Sequence, residues 1–314
     1  MAQLTSITLA SSGSLNLSYA SQNTSSVGNL WYDNSDNRIK YSYFSGAWSA
    51  GGALITERQV LAGAGTQNAG LAFGGSPGIT CTEEYDGTSW TAGGALITAR
   101  RDLAGAGTQN EALAFGGAPG YFSCTEEYNG TSWGTGGALI TGRKNLAGAG
   151  TQTAGLAFGG RVGSPTFTTV SCTEEYDGSS WSAGGALINA REYLAGAGTQ
   201  NEALAFGGGT PSDVSCTEEY DGSSWSAGGA LIIARNTLAG AGTQNAGLAF
   251  GGSPFVSCTE VYDGSSWSAG GALINARRRL AGAGTQNEAL AFGGQGFTTL
   301  YTEEYNVFFQ IKTL

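Results

Sequence analysis

The 314-residue chain holds 54 Gly but only 5 Pro, no His, 12% charged residues and a net charge of -10. Collagen would need Pro and a three-residue period, and 40% hydrophobic residues with 11% aromatics are too many for an unfolded linker, so the glycine must serve a folded, turn-rich architecture of one large domain or two ordinary ones. An excess of 24 acids over 14 bases is the wrong sign for binding a phosphate backbone, which leaves nucleic acid out of the expected partners.

In chain order, the first 22 residues lack the basic n-region and apolar run of a secretory signal, and no stretch approaches the ~18 apolar residues of a membrane span. A soluble protein made in a reducing cytosol is the expectation, and the odd count of 5 Cys agrees with it. Residues 9–27 are Ser/Asn-rich and read as a polar attachment arm or a plain disordered terminus. Leu30 to Tyr32 and Ile39 to Phe44 are β-prone runs about a DNSDN turn, Asp33 to Asn37, and predict a hairpin. The expected division is an arm and hairpin over 1–46 and a repeat domain over 47–314.

The repeat is explicit. LAGAGTQ starts at Leu61, Leu103, Leu146, Leu194, Leu238 and Leu280, and LAFGG follows each time with Phe73, Phe115, Phe158, Phe206, Phe250 and Phe292. A variable loop, a TEEY or TEVY string, a D/N-G turn and a Trp complete the unit, and the tryptophans from Trp48 to Trp267 are spaced 42, 43, 48, 44 and 42 residues apart. A period in the forties with four short, Gly-punctuated segments is that of a propeller blade.

The order glycine pair, Tyr-Asp, Trp, Arg resembles the kelch repeat, over about residues 47 to 305. The resemblance implies four strands per blade in radial order: a in RQVLAGAGTQ, b in NAGLAFGG, c in ITCTEEYDG and d in TSWTAGGALI. Alternating Ala and Gly suit a crowded innermost strand, and the D/N-G pair, able to take positive φ at both central residues, suits a tight c-to-d hairpin. Strands a, b and c occur six times, yet no Trp follows the last c strand, Thr299 to Tyr305, while Trp48 precedes the first copy. The expected fold is therefore all-β: a six-bladed β-propeller of kelch-like four-stranded blades, its ring closed by the N-terminal strand.

Repetition argues against catalysis at the shared motifs. GAGTQNAG lacks the Lys and following helix of a phosphate loop. Cys81, Cys124, Cys172, Cys216 and Cys258 recur at one blade position, with Tyr301 as the sixth, and equivalent sites on different blades lie beyond the ~7 Å reach of a disulfide, so free thiols packed between blades are expected. Six Arg (58, 100, 143, 191, 235, 277) and six first Glu of strand c (83, 126, 174, 218, 260, 303) predict structural ion pairs between blades. The second Glu becomes Val261 in the fifth copy, which predicts a position facing a mixed surface. No catalytic residue, metal or cofactor is expected.

Function is sought where the copies differ. One zone is the dipeptide after the recurrent Arg: Gln59 and Val60, Arg101 and Asp102, Lys144 and Asn145, Glu192 and Tyr193, Asn236 and Thr237, Arg278 and Arg279. The other is the b-to-c loop. Both connections leave an up-and-down blade on the same side, so they should decorate one rim of the propeller. The candidate ligand-binding set there is Arg101, Asp102, Lys144, Asn145, Tyr121, Phe122, Arg161, Phe167, Glu192, Tyr193, Asn236, Phe255, Arg278, Arg279 and Phe297, since Arg and aromatics are enriched at binding surfaces. On the opposite side Glu111, Glu202 and Glu288 recur every second blade, a pseudo-three-fold ring that points first to duplication of a two-blade unit and only secondarily to a seat for a cation or a three-fold partner.

Gly28, Leu30, Trp31, Tyr32, then Arg38, Lys40, Tyr41, then Gly46 and Trp48 form a G-x-L-W-Y, turn, R-x-K-Y, G-x-W series similar to a short hairpin of tailed-phage tail-fibre and virion proteins. That resemblance implies a non-enzymatic, virion-located binding protein of a bacteriophage. The variable rim would take a host-surface glycan or protein, and the arm would meet other virion proteins or further copies in a homo-oligomer. The alternatives are a structural decoration or kelch-type interaction scaffold, and a carbohydrate-active enzyme; the kelch-like copper oxidases among the latter need His ligands, which this chain lacks.

Overall fold

The computed structural model describes residues 30–33, 38–163, 167–297 and 299–313, all of them strand, turn or loop. Two compact units emerge: residues 46–306, and residues 1–45 together with 307–314.

The first unit is a six-bladed propeller of antiparallel sheets. In the first blade, strands a to d are Ala62–Gly65, Gly70–Phe73, Thr82–Tyr85 and Trp90–Ala92, in the register Ala62↔Phe73, Leu71↔Glu84 and Tyr85↔Trp90. The next four blades repeat it, and the third adds a short ribbon, Arg161–Val162 with Thr168–Thr169, in its b-to-c loop. The sixth takes a, b and c from Ala281–Gly284, Glu288–Phe292 and Thr302–Thr313, and d from Arg38–Ala50 at the other end of the chain. The ring is thus closed by the N-terminal strand, as the strand count required.

Small residues on strand a let the blades converge. A Cβ on Gly63 would fall 2.5 Å from Phe292 Cζ of the preceding blade and 3.0 Å from Gly282 O, so any side chain there would push two blades apart.

Each blade grips the one before it through three side-chain contacts. The d-strand Trp donates its indole N–H to the preceding blade's c-strand Thr, 2.9 Å in all six cases from Trp48 to Thr259 round to Trp267 to Thr217. The Gln of LAGAGTQ donates to two backbone carbonyls of the preceding blade, as Gln109 does to Gly70 and Tyr85. The c-strand Tyr hydroxyl donates to the preceding blade's second Glu, as Tyr128 does to Glu84 at 2.5 Å. That contact corrects the reading of the second Glu as a surface position: it is an inter-blade acceptor at five junctions and absent at the one with Val261.

The predicted ion pair forms within a blade instead of between blades: Arg58, on the connector that enters the first blade, pairs with Glu83 on that blade's own strand c, and the other five do the same. The six guanidinium groups are almost completely buried against their Glu, at 2.6 to 3.3 Å for five pairs, with Arg143 bonded directly to Glu174 as well. Each Glu also accepts two backbone N–H groups of the d-to-a connector, as Glu83 does from Ile55 and Thr56, and the Arg reaches carbonyls such as Cys81 O. A buried charge held this way is satisfied by several partners, which is what makes it tolerable.

Two local expectations need revision. The c-to-d connection spans four residues, Asp86 to Ser89, and only Gly87 takes positive φ; Asp86 serves by accepting the N–H groups of Thr88 and Ser89. The five thiols are half-buried and unbridged rather than sealed between blades.

In the second unit Leu30–Asp33 pairs with the strand that begins at Arg38, in the register Leu30↔Tyr41 to Asp33↔Arg38. The two strands of the hairpin are present, and Asp33 is a paired strand residue instead of part of the turn; residues 34–37 and the leader 1–29 lie outside the described residues. Phe44 meets Phe309 edge-on at 6.0 Å, and both stay about half exposed, as do Phe308 and Ile311.

Candidate functional site

The d-to-a and b-to-c connections do emerge on one face of the propeller, and short bridges tie them together. The first residue of each variable dipeptide pairs with the b-to-c loop: Gln59↔Ser76, Arg101↔Ala118, Lys144↔Arg161, Glu192↔Gly209 and Arg278↔Gln295, while Ser253 N–H donates to Asn236 O.

The second residue does something the sequence did not announce. Val60, Asp102, Asn145, Tyr193, Thr237 and Arg279 all adopt left-handed backbone, φ 51° to 57°, and each donates its N–H to the carbonyl of its counterpart in the preceding blade, at 2.8 to 2.9 Å. Six hydrogen bonds thus close a ring about the propeller axis. These residues line the mouth of an axial cavity of about 90 Å³, whose remaining lining is Leu61, Leu103, Leu146, Leu194, Leu238 and Leu280; a second space of about 110 Å³ continues among the Leu-Ala-Gly segments. The expectation that both dipeptide residues decorate a rim is therefore corrected: Asp102, Asn145, Tyr193 and Arg279 turn to the axis, and the first residues and loops surround them.

The axial side chains influence one another across the ring. Burial raises the Asp102 carboxyl above the usual carboxylate range against the pull of Arg101, Lys144 and Arg279, and raises the Tyr193 phenol with help from Glu192 and Asp102. Asn145 is 5% exposed, donates Nδ2–H to Glu192 Oε2 at 2.6 Å, and leaves Oδ1 without a partner. Arg279 donates from Nη1 to Gln59 Oε1 at 3.4 Å, while its Nε is buried and unpartnered.

Around the axis, cations sit over aromatic rings. Lys144 Nζ lies 5.1 Å from the Tyr121 centroid, Arg161 Cζ 5.4 Å from Phe167 and Arg278 Cζ 4.4 Å from Phe255. Tyr121 and Phe167 approach to 6.4 Å, joining the first two pairs into one cluster. Arg161 also reaches Glu192 at 3.6 Å, Arg101 reaches Asp102 at 3.5 Å, and Asn236 donates to Asp213 at 2.7 Å. Phe297 stands alone at 95% exposure, and Phe122 is half-buried.

Variation did not reveal every exposed feature. Ile55, Ile97, Ile140, Ile188, Ile232 and Ile274 form a collar on the same connectors, each 56% to 63% exposed. They are invariant among the copies, so a search for differences passes over them; the signal was two adjacent apolar residues, Leu-Ile, past the end of a strand, of which only Leu is buried.

Charge divides the two faces. Of the chain's 14 bases, six are in the buried pairs, Arg38, Lys40 and Lys312 belong to the terminal unit, and the remaining Arg101, Lys144, Arg161, Arg278 and Arg279 all lie on the variable face. The opposite face carries Asp86, Asp177, Asp221 and Asp263 in the c-to-d turns, Glu111 and Glu202 in the a-to-b turns and Glu288 at the start of the sixth b strand, with no base among them. Glu111, Glu202 and Glu288 do not converge: among the described residues no three His, Cys, Asp or Glu are placed to share a metal ion.

No family model and no curated protein matches the sequence. Among solved structures, that of YjhT superposes with a TM-score of 0.69 at 14% identity, covering 83% of this chain and 100% of that one. At such identity the likeness establishes the propeller fold and nothing about the site.

Proposed function

We propose that the protein is a non-enzymatic, virion-associated binding protein of a bacteriophage, a kelch-like propeller that recognises a host-surface glycan or protein through its variable face. The observation that carries this reading is the coincidence, on one face, of the dipeptides and loops in which the blades differ most with every propeller cation outside the buried pairs, three of them stacked on aromatics. Shared residues account for packing; the rest are spent where a partner can be met. The opposite, uniformly acidic face would be repelled from an anionic cell envelope, which orients the variable face toward it.

The phage assignment rests on the Gly28-to-Trp48 motif, with the arm meeting other virion proteins and further copies of the chain. The test is direct. Fluorescently labelled protein should attach to host cells and lose attachment when Lys144, Arg161 and Arg278 are replaced together by Ala, and antibody labelling should locate the chain on intact virions. Undiminished attachment by the triple variant would sink the binding-face reading. The exposed isoleucine collar supports the second reading, a structural decoration docked on a neighbouring virion protein; it predicts labelling of virions without attachment of the isolated chain to cells.

A further inference from the structure

We infer that the open edge of residues 307–313 pairs antiparallel with the same edge of a second copy of the chain, joining two copies about a two-fold axis at Gln310. The inference rests on the reading of the terminal unit as the part that meets other chains, and it names the strand that does so. Thr302–Thr313 has Arg38–Ala50 on one side and Glu288–Phe292 on the other, but the latter accompanies it only as far as Asn306. Beyond that point, among the described residues, the side away from Arg38–Ala50 has no strand partner.

Successive residues of an antiparallel strand turn their N–H and C=O groups to alternate sides. Thr302 accepts the Gly51 N–H, on the side of Arg38–Ala50, so Val307, Phe309, Ile311 and Thr313, each an odd number of residues further on, turn theirs to the open side. All four are strong strand formers, and their unpaired backbone groups are a template for another strand. The usual deterrents are thin: the segment has no Pro or Gly, and its one charged side chain is Lys312. Its apolar side chains lack cover as well, since Phe44 and Phe309 meet edge-on at 6.0 Å and both stay about half exposed beside Phe308 and Ile311.

Self-complementarity points to a second copy as the occupant. With two segments antiparallel about Gln310, Phe309 stands opposite Ile311 of the second copy and Val307 opposite its Thr313, so every open N–H and C=O finds a counterpart. Ile311 of the second copy then extends the contact between Phe44 and Phe309 into an apolar stripe, which the two-fold axis repeats. On the other face Phe308 stands opposite Lys312, a cation–π pair. Moving the axis toward Phe309 would drive Thr313 against Tyr305, whose edge Ala289 already occupies. Moving it toward Ile311 leaves Val307 unpaired, and a slip of one residue presents groups already turned to Arg38–Ala50.

Sedimentation velocity and disulfide trapping on the intact chain test the inference. The parent should form a dimer that dissociates on dilution, and nothing larger, because a pairing of like edges closes at two copies. Ile311→Pro removes an N–H that points away from Arg38–Ala50, so the sheet within the chain keeps its bonds while the pairing loses one in each copy. The dissociation constant should rise by about tenfold or more. Should that variant misfold, Gln310→Cys decides independently: residues directly opposite at a non-hydrogen-bonded position lie about 4.5 Å apart at Cα, within disulfide reach. Under mild oxidation Gln310→Cys should be trapped as a covalent dimer. Lys312→Cys, whose mate lies about 13 Å away at ~3.3 Å per residue, should not be, nor should the parent. A parent that stays monomeric or forms trimers or larger species, a dimer indifferent to Ile311→Pro, or trapping of Lys312→Cys in preference to Gln310→Cys would overturn the inference. Antibody labelling of virions separates the two levels: labelled virions with a chain that is monomeric in isolation condemn the edge pairing and leave the virion assignment standing, while a trapped Gln310→Cys dimer with unlabelled virions does the reverse.

Discussion

Tyr305 lacks the carboxylate acceptor that its five counterparts possess, because the residue at that position of the preceding blade is Val261. Tyr85, Tyr128, Tyr176, Tyr220 and Tyr262 each donate to a Glu at 2.5 Å, whereas the Tyr305 hydroxyl accepts from the Gly271 N–H and has no such carboxylate among the described residues. The missing bond lies at the junction where the two ends of the chain meet. Val261→Glu should therefore stabilise: a hydrogen bond to a charged acceptor contributes about 1.5–3 kcal/mol before desolvation is subtracted, leaving a gain of roughly 1 kcal/mol. Thermal melting should rise by about 2–4 °C for a domain of this size, and a fall would show that the carboxylate is not accommodated there.

Closure by the N-terminal strand makes a second prediction. Trp48 bonds to Thr259 and packs against Phe250 and Tyr305, at 4.9 and 5.1 Å between ring centroids. Removing residues 1–50 takes away this side chain and bares the last c strand, an unpaired edge prone to intermolecular pairing. The truncated chain should aggregate or lose its cooperative transition. A monomer with an unchanged melting curve would refute the interlock.

The axial ring supplies a third. Val60 and Thr237 are β-branched at φ 52° and 51°, where such side chains are strained, while Asn145 at φ 57° has a residue type suited to it. Val60→Asn should keep the ring hydrogen bonds and stabilise by about 1 kcal/mol, measured as a higher denaturation midpoint with unchanged m-value. Val60→Ile should bring no such gain.

What could be read from the sequence divides along physical lines. The blades, their number, the closing role of Trp48 and the pairing of Arg with Glu were legible because each repeats at fixed phase, and repetition reports packing; that each pair closes within a blade instead of between blades was not, since a fixed phase leaves either choice open. The inward turn of Tyr193 was not: the left-handed ring is imposed by backbone hydrogen bonds between blades, and a set of Val, Asp, Asn, Tyr, Thr and Arg has no common preference that would announce it. Glu84 was misread because its partner, Tyr128, lies one blade away along the chain. The isoleucine collar was invisible to a search for variation because it does not vary.

Alkaline stability gives a fourth prediction. Burial, reinforced by the bond to Glu, pushes Tyr85, Tyr128, Tyr176, Tyr220 and Tyr262 up to about 12. A phenol whose folded pKa exceeds its unfolded value near 10 contributes stability that is complete below pH 10 and is lost as pH rises toward 12. The melting temperature should hold to about pH 10 and then fall steeply, with ultraviolet titration showing five phenols ionising late or together with unfolding. Early ionisation of these phenols without loss of structure would contradict the inter-blade bonds.

The last prediction contrasts the variable face with the pairs beneath it. Lys144, Arg161 and Arg278 lie over aromatic rings on exposed loops, where a cation–π contact is worth about 0.5–1 kcal/mol, so their joint replacement by Ala should lower the melting temperature only slightly. Attachment to cells should nevertheless be lost, and in the parent it should weaken as salt is raised, since exposed charges are screened within about 8–10 Å. Glu174→Gln has the opposite profile: it leaves the Arg143 guanidinium buried without a counter-charge and should destabilise by about 3–5 kcal/mol. What remains folded should still attach, because neither Arg143 nor Glu174 reaches the surface. Should the surface triple variant melt far below the parent, or the Glu174 variant lose attachment while fully folded, then recognition and packing are not carried by separate sets of residues, and the division on which the binding face was assigned would fail.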